Sequence, residues 1–311
     1  MKKIAYLFPG QGSQAPGMGK DAAARSTAAA ELFRQADTQL GFEFSRICFE
    51  GPEEELKKTE ITQPALFAAS AATLVVLTEA GLRPHAVAGH SLGEYTALLA
   101  ANVFDFATGL ALVRTRGEAF AAAGSLRPGA MSAVLGLPAS QVEEICALAS
   151  RDGEVVVAAN KNEPTQTVIS GDPVAVGRAG EALVAAKAKR VLPLPVSGAF
   201  HSPLVAPAAA TMRAALAPLA LRRPDTIFVN NVDAAVLADP EAIKDSLVRQ
   251  ITGCVRWVEC VEELVRQGTE AFVEVGSGKV LSGLVRRIAK DIPCYTTESD
   301  AAIEKALAEL K

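Results

Sequence analysis

The chain has 311 residues, 50% of them hydrophobic and 21% charged, with a formal net charge of −4. That length fits two domains or one domain with an insertion, and so large an apolar fraction excludes a disordered chain. The acidic balance excludes a protein that wraps nucleic-acid phosphates. Five scattered cysteines (Cys48, Cys146, Cys254, Cys260 and Cys294) form no CxxC pair, so neither a disulfide framework nor a metal site is indicated.

Met1-Lys2-Lys3 followed by Ile4–Phe8 is too short for the apolar region of a signal peptide. The most apolar segment, Ala65–Leu77, is interrupted by Ser70 and Thr73 and followed by Glu79, which argues against a membrane span. The expectation is a soluble cytoplasmic protein with no membrane or nucleic-acid partner.

In chain order, Ile4–Phe8 closed by Pro9-Gly10-Gln11-Gly12 is the pattern of a buried strand entering a loop. Helices are expected up to about Leu40 and from Pro64 to Ala80, with Gly81 as a stop. Val87-Ala88-Gly89 predicts a strand, His90-Ser91 a turn and Leu92–Ala101 a helix, with another helix over Phe104–Ala122. The next elements are a strand at Ala130–Leu137, a helix at Ser140–Ala149 and strands at Val155–Ala159 and Thr167–Ser170. A helix at Pro173–Ala186 and a strand at Arg190–Leu194 follow. This β-α-β-β-α-β order is that of a ferredoxin-like unit. Beyond it, Ile227–Asn230 and Ala271–Val275 predict strands among helices, and Gly276-Ser277-Gly278-Lys279 a turn into a helix at Val280–Ala289. The fold class is therefore α/β, with residues 1–125 and 198–311 as the core and residues 126–197 as an inserted ferredoxin-like subdomain.

Gly89-His90-Ser91-Leu92-Gly93 fits the G-x-S-x-G nucleophile elbow, a strained strand-to-helix turn that lifts a serine Oγ into a cleft. The competing role for Ser91 is an N-cap of the following helix. A nucleophilic serine needs a base, and the chain has three histidines. His90 is the immediate neighbour of Ser91, so its side chain diverges from it. His85 stands at the head of the same strand, below the cleft. His201, in the loop after the insertion, is left as the base.

Several motifs stand in register: Phe8-Pro9-Gly10-Gln11-Gly12-Ser13-Gln14, Gly89-His90-Ser91-Leu92-Gly93-Glu94, Arg114-Thr115-Arg116-Gly117 and Gly198-Ala199-Phe200-His201-Ser202. With Asn230-Asn231-Val232, Gln250 and Glu274-Val275-Gly276 they span nearly the whole chain. Together they resemble the acyl-carrier-protein S-malonyltransferases, also called malonyl-CoA:acyl-carrier-protein transacylases. The resemblance implies an α/β-hydrolase-like core, malonyl-CoA and acyl carrier protein as partners, and no cofactor, malonyl-CoA being a substrate. It implies that Ser91 carries the malonyl group as an ester and that His201 accepts and returns the proton. The backbone N–H groups of Gln11 and Leu92 become the oxyanion hole, and the Gln250 main-chain carbonyl orients His201. Arg116 takes the free carboxylate of the malonyl group, a match of planar guanidinium to planar acid. An acetyl group would leave that buried cation unpaired, at a cost of about 2–5 kcal/mol. Arg114 is expected on the surface. Phe200, beside the histidine, and Leu92 resemble the malonyl-selective form, in which bulk crowds an α-methyl substituent.

The segment Asn160-Lys161-Asn162-Glu163-Pro164-Thr165-Gln166 departs from the family pattern, with Glu163 and Thr165 where small residues are usual. That loop lies near the cleft mouth, so the departures bear on the roles that Asn162 and Gln166 would inherit; Asn162 and Phe200 are the pocket candidates, and Glu163 is expected to be solvated. Lys187, Lys189 and Arg190, or Arg286, Arg287 and Lys290, are candidates for docking an acidic carrier protein. Other readings stay open. A serine hydrolase or thioesterase would share the Ser-His pair, but normally carries an acid between Ser91 and His201; Asp152 and Asp172 lie in that interval, both in the insertion's turns and away from core strand ends. A scaffold relative would have lost the chemistry. Gly10-Gln11-Gly12-Ser13-Gln14-Ala15 fits a dinucleotide fingerprint, but Asp37, the acid it needs, falls in a helical stretch.

Overall fold

Nine strands are present among the described residues, 2–196 and 198–310, of this computed structural model. Ser197, at the predicted edge of the insertion, lies outside them. The strands are β1 (Ile4–Phe8), β2 (Ala86–Gly89), β3 (Ala130–Leu135), β4 (Val156–Glu163), β5 (Gln166–Gly171), β6 (Arg190–Pro193), β7 (Ile227–Phe228), β8 (Ala271–Glu274) and β9 (Cys294–Thr296). They form two sheets. The first is parallel, in the order β7-β2-β1-β8-β9. The second is antiparallel, in the order β4-β5-β3-β6, and is made only from residues 130–193.

Strands β1, β2 and β8 are buried along their whole length, as expected of a parallel sheet covered on both faces. Their period of two sends Tyr6, Phe8, Val87 and Val273 into one core, with the helices Thr59–Glu79 and Phe106–Leu126. Ala5, Leu7, Ala86, Ala88 and Phe272 face a second core around Trp257. In β1 and β2 the register pairs Phe8 with Gly89. That pairing sets the Pro9-Gly10-Gln11 turn beside the His90-Ser91 turn.

The helix expected from Pro64 begins five residues earlier, at Thr59. A proline removes one backbone hydrogen bond, but this helix is buried around nearly its whole circumference, so packing carries it through the break. It is also the one helix among the described residues long and apolar enough to cross a membrane, and most of its apolar window is buried inside the protein. The helix Phe106–Leu126 starts later than expected because the Asp105 side chain accepts from Thr108 N at 2.8 Å and caps it. Asp37 lies within the helix Thr27–Leu40 and accepts from the Ser45 N–H and hydroxyl, which leaves it no dinucleotide role. Strand β7 stops at Phe228, and β9 and the helix Asp300–Leu310 follow the last element foreseen from the sequence.

The largest difference is at β4. It runs on through the segment read as a loop, with register shifts between Ala158 and Asn160 and between Lys161 and Glu163. The core supplies it with a partner: Lys161 N donates to Val255 O at 2.9 Å and Val255 N to Ala159 O at 2.8 Å. Glu163 is therefore not solvated. It is 4% exposed and accepts from Arg287 Nη1 at 3.0 Å and from Thr165 Oγ1 at 3.3 Å. This corrects the expectation for Glu163, and it removes Arg287 from the set of unengaged docking cations.

Candidate active site

Strand β2 ends at Gly89, the chain turns at His90 and Ser91, and the helix Gly93–Ala100 departs at once. Ser91 has φ 52°, in the left-handed region. The turn is tight enough to dictate its glycines. A Cβ on Gly89 would lie 1.9 Å from the Gly93 carbonyl carbon, and one on Gly93 would lie 2.0 Å from Phe8 O. Ser91 does not cap the helix; its Oγ is 2.7 Å from His201 Nε2.

His201 is buried and itself adopts a positive φ of 58°. Its Nδ1 lies 2.8 Å from the main-chain carbonyl of Gln250. A carbonyl only accepts, so Nδ1 carries the proton and Nε2 presents its lone pair to the serine hydroxyl. Burial and then the nearby Arg116 cation push the imidazole down to about 3, which keeps it neutral, with the Nε2 lone pair free, through the physiological range. Among the described residues no carboxylate bonds to it. Asp172, one of the two candidates for the single acid a hydrolase reading would need, caps the helix Pro173–Ala185 instead.

Arg116 is 1% exposed. Its Nη2 donates to Ser91 Oγ at 3.0 Å and to Gln250 Oε1 at 2.9 Å, while Nη1 donates to Gln63 Oε1 at 2.8 Å. One turn further along the same helix face, the Phe120 ring lies 4.6 Å from the guanidinium carbon. The cation is thus held by neutral groups. Arg114, two residues away, points outward and pairs with Glu118 at 2.8 Å.

Gln11, Leu92, Arg116, Asn162, Gln166, Phe200 and His201 all line one cleft of about 230 Å3 with Ser91. Its far wall is apolar and comes from the second sheet and the segment after it: Met131, Val168, Leu194 and Val196. Among the described residues, the N–H groups of Gln11 and Leu92 donate to no backbone carbonyl. Asn162 reaches His90, Oδ1 to Nε2 at 2.9 Å, so the second histidine is engaged away from the serine. His85 bonds to the Gln267 carbonyl at the opposite end of the strand. Larger hollows of about 460 and 590 Å3 lie elsewhere and contain no nucleophile–base pair.

Four contributors were missed by the sequence reading: the side chains of Gln63, Phe120, Asn231 and Gln250. Gln63 lies in the five-residue extension before Pro64, Phe120 stands four residues after Arg116 on the same helix, where helical spacing was the available signal, and Asn231 and the Gln250 side chain meet their partners only through the fold. Glu94 and Asn231 sit directly behind the elbow, where Asn231 Oδ1 accepts the Ser91 N–H at 2.8 Å.

A serine at a strand–helix turn, a histidine held by a main-chain carbonyl and a buried guanidinium on the same oxygen define an α/β acyl-transfer enzyme. Residues 5–303 match the acyl transferase domain family, and the chain belongs to that family. A malonyl CoA-acyl carrier protein transacylase of Escherichia coli (strain K12) is 43% identical over 308 residues, covering 99% of each chain. One from Bacillus subtilis (strain 168) is 41% identical over 311 residues, covering 100% of this chain and 98% of the relative. An acyl carrier protein S-malonyltransferase from Vibrio cholerae superposes with a TM-score of 0.94 at 43% identity, over 98% of this chain and 100% of that one. A malonyl-transacylase in complex with its type II PKS acyl-carrier protein gives 0.95 at 41% identity, over 99% and 100%.

Proposed function

We propose that this chain transfers the malonyl group from malonyl-CoA to the phosphopantetheine thiol of acyl carrier protein, providing the extender unit for fatty-acid or polyketide synthesis. The observation that carries the reading is the convergence on Ser91 Oγ of His201 Nε2 at 2.7 Å and Arg116 Nη2 at 3.0 Å. Ser91 Oγ attacks the thioester carbonyl as its proton passes to Nε2. The oxyanion is met by the N–H groups of Gln11 and Leu92. Coenzyme A leaves as the thiol, taking the proton from His201, and malonyl-Ser91 remains. The carrier thiol then yields its proton to His201 and attacks the ester, and Ser91 Oγ leaves as the hydroxyl by taking that proton back from Nε2.

Throughout, Arg116 holds the malonyl carboxylate. In the free protein that cation rests on the serine hydroxyl, so the substrate's acid exchanges one acceptor for a charged one. Gln63 and Gln250 keep the guanidinium in plane. The reaction needs no cofactor. We assign it to the cytoplasm, in keeping with five cysteines that are all unpaired. The test is intact mass after mixing with malonyl-CoA: a malonyl adduct is expected on the native chain and absent from Ser91→Ala. Rapid release of coenzyme A with no carrier and no adduct would make the chain a hydrolase instead.

A further inference from the structure

The left-handed backbone at Ser91 is one that a residue bearing a Cβ adopts only when its surroundings impose it. A single carboxamide spans the turn. Asn231 Oδ1 accepts the Ser91 N–H at 2.8 Å, and Asn231 Nδ2 donates to the Gly89 carbonyl at 2.8 Å, so the two residues flanking His90 are bridged. Asn231 is itself fixed from the first turn of the helix Gly93–Ala100, its N–H donating to Glu94 Oε2 at 2.8 Å. On the other side Gln250 Nε2 donates to the Ser91 carbonyl at 2.9 Å. Glu94, Asn231 and Gln250 are each 0% exposed, so water does not compete for these bonds.

We propose that Asn231, oriented by Glu94, is a positioning residue for the nucleophile. It holds the peptide of Ser91 in the conformation that aims Oγ at His201. By occupying the Ser91 N–H, it also leaves the Leu92 N–H as the elbow's donor toward the cleft. Neither Asn231 nor Glu94 lines the cleft, so both act through Ser91 and not on the substrate. The proposal rests on Ser91 being the nucleophile.

The test is single-turnover acylation by malonyl-CoA, read by quenched intact mass, in the native chain, Ser91→Ala, Asn231→Ala and Asn231→Asp. Malonyl-CoA affinity is measured by calorimetry in a Ser91→Ala background, with and without the Asn231 change. No Ser91-dependent adduct on the native chain defeats the functional reading itself, whatever the Asn231 variants do. With the adduct present, Asn231→Ala is expected to acylate on the order of 100-fold more slowly, the scale of a misplaced reacting group, with affinity unchanged. Asn231→Asp supplies a readout that a purely structural role would not move. A protonated carboxyl can accept from Ser91 N–H and donate to Gly89 O, whereas a carboxylate can only accept. The introduced acid neighbours Glu94 and Cys260, with Asp233 acting on Glu94 from beyond and Arg116 and His201 on the far side of Ser91. Its acylation rate relative to native should therefore rise as pH is lowered. A near-native rate in folded Asn231→Ala, an affinity loss that accounts for the slowing, or a ratio for Asn231→Asp that is flat with pH would each overturn the proposal. If Asn231→Ala does not fold, the pH dependence of Asn231→Asp decides it.

Discussion

Arg116 sits where substrate choice and proton transfer meet. Among the described residues its guanidinium has only neutral hydrogen-bond partners, Gln63, Gln250 and Ser91, so a bound carboxylate supplies the charge that the cation lacks. Arg116→Ala should lower kcat/KM for malonyl-CoA by roughly 30-fold to 5000-fold, equivalent to about 2–5 kcal/mol, and affect acetyl-CoA far less. Steady-state kinetics with both thioesters check this; an equal loss on the two would remove Arg116 from carboxylate recognition. The same variant shifts the histidine. Burial and then Arg116 hold His201 down at about 3, so the native acid limb of kcat/KM lies below the ordinary histidine range. Removing the cation leaves burial as the main lowering influence, and the limb should move toward higher pH. Residues of this kind were unequally legible. Three histidines in the chain allowed His201 to be reached by elimination, while Arg116 needed the family resemblance to distinguish it from Arg114. Gln63 is 53 residues from Arg116 and Asn231 is 140 from Ser91, and no local pattern signals bonds of that span.

At the scale of elements, the elbow was readable because its requirement is local: small residues two places either side of a serine between an apolar run and a helix. The structure gives that requirement its reason in the contact of Gly93 with Phe8 O, where an added Cβ would sit at 2.0 Å from a strand carbonyl that cannot move aside. Gly93→Ala should separate the helix from the end of β1 and abolish Ser91 acylation, with thermal unfolding showing a lowered midpoint. Full acylation by this variant would show that the elbow tolerates a wider turn. Strand β4 was legible only to Ala159, since its outer half is an edge that polar residues fill and a core segment, Val255, completes from far along the chain. The ion pair at its end is asymmetric, with the Glu163 side chain 5% exposed and the Arg287 side chain 63%. Glu163→Ala frees an arginine that can turn to water, at a cost of about 1.5–3 kcal/mol for the lost charged hydrogen bond. Arg287→Ala strands a buried carboxylate and should cost more, and the double variant should recover part of that loss. Chemical denaturation of the three variants settles the order; equal losses in the two single variants would mean that Glu163 reaches solvent.

For the whole molecule, buried ionisable groups set how stability follows pH. Glu274 is 0% exposed at the end of β8, and its carboxyl accepts from Leu281 N at 3.0 Å and Ser282 N at 2.7 Å, joining the sheet to the helix Val280–Ile288. Burial outweighs these two donors and raises it from 4.5 to about 7, and Glu94 is raised to about 7 by the same cause. A carboxyl raised on folding contributes its full stability below 4.5, where it is protonated in both states. That contribution is lost as pH climbs through about 7, because the unfolded chain has already ionised. His201 acts in the opposite sense, contributing fully above 6.5 and losing its share as pH falls toward about 3. The two trends overlap between 4.5 and 6.5, so the native curve alone does not isolate either. The difference between native and Glu274→Gln does, because the other groups cancel and the amide cannot titrate. That difference should turn against the native chain by on the order of 3 kcal/mol between pH 4.5 and 7.5, on top of a constant offset for the altered cap. Urea unfolding at a series of pH values measures it, and a difference that stays level would mean that the two N–H donors keep Glu274 ionised despite its burial.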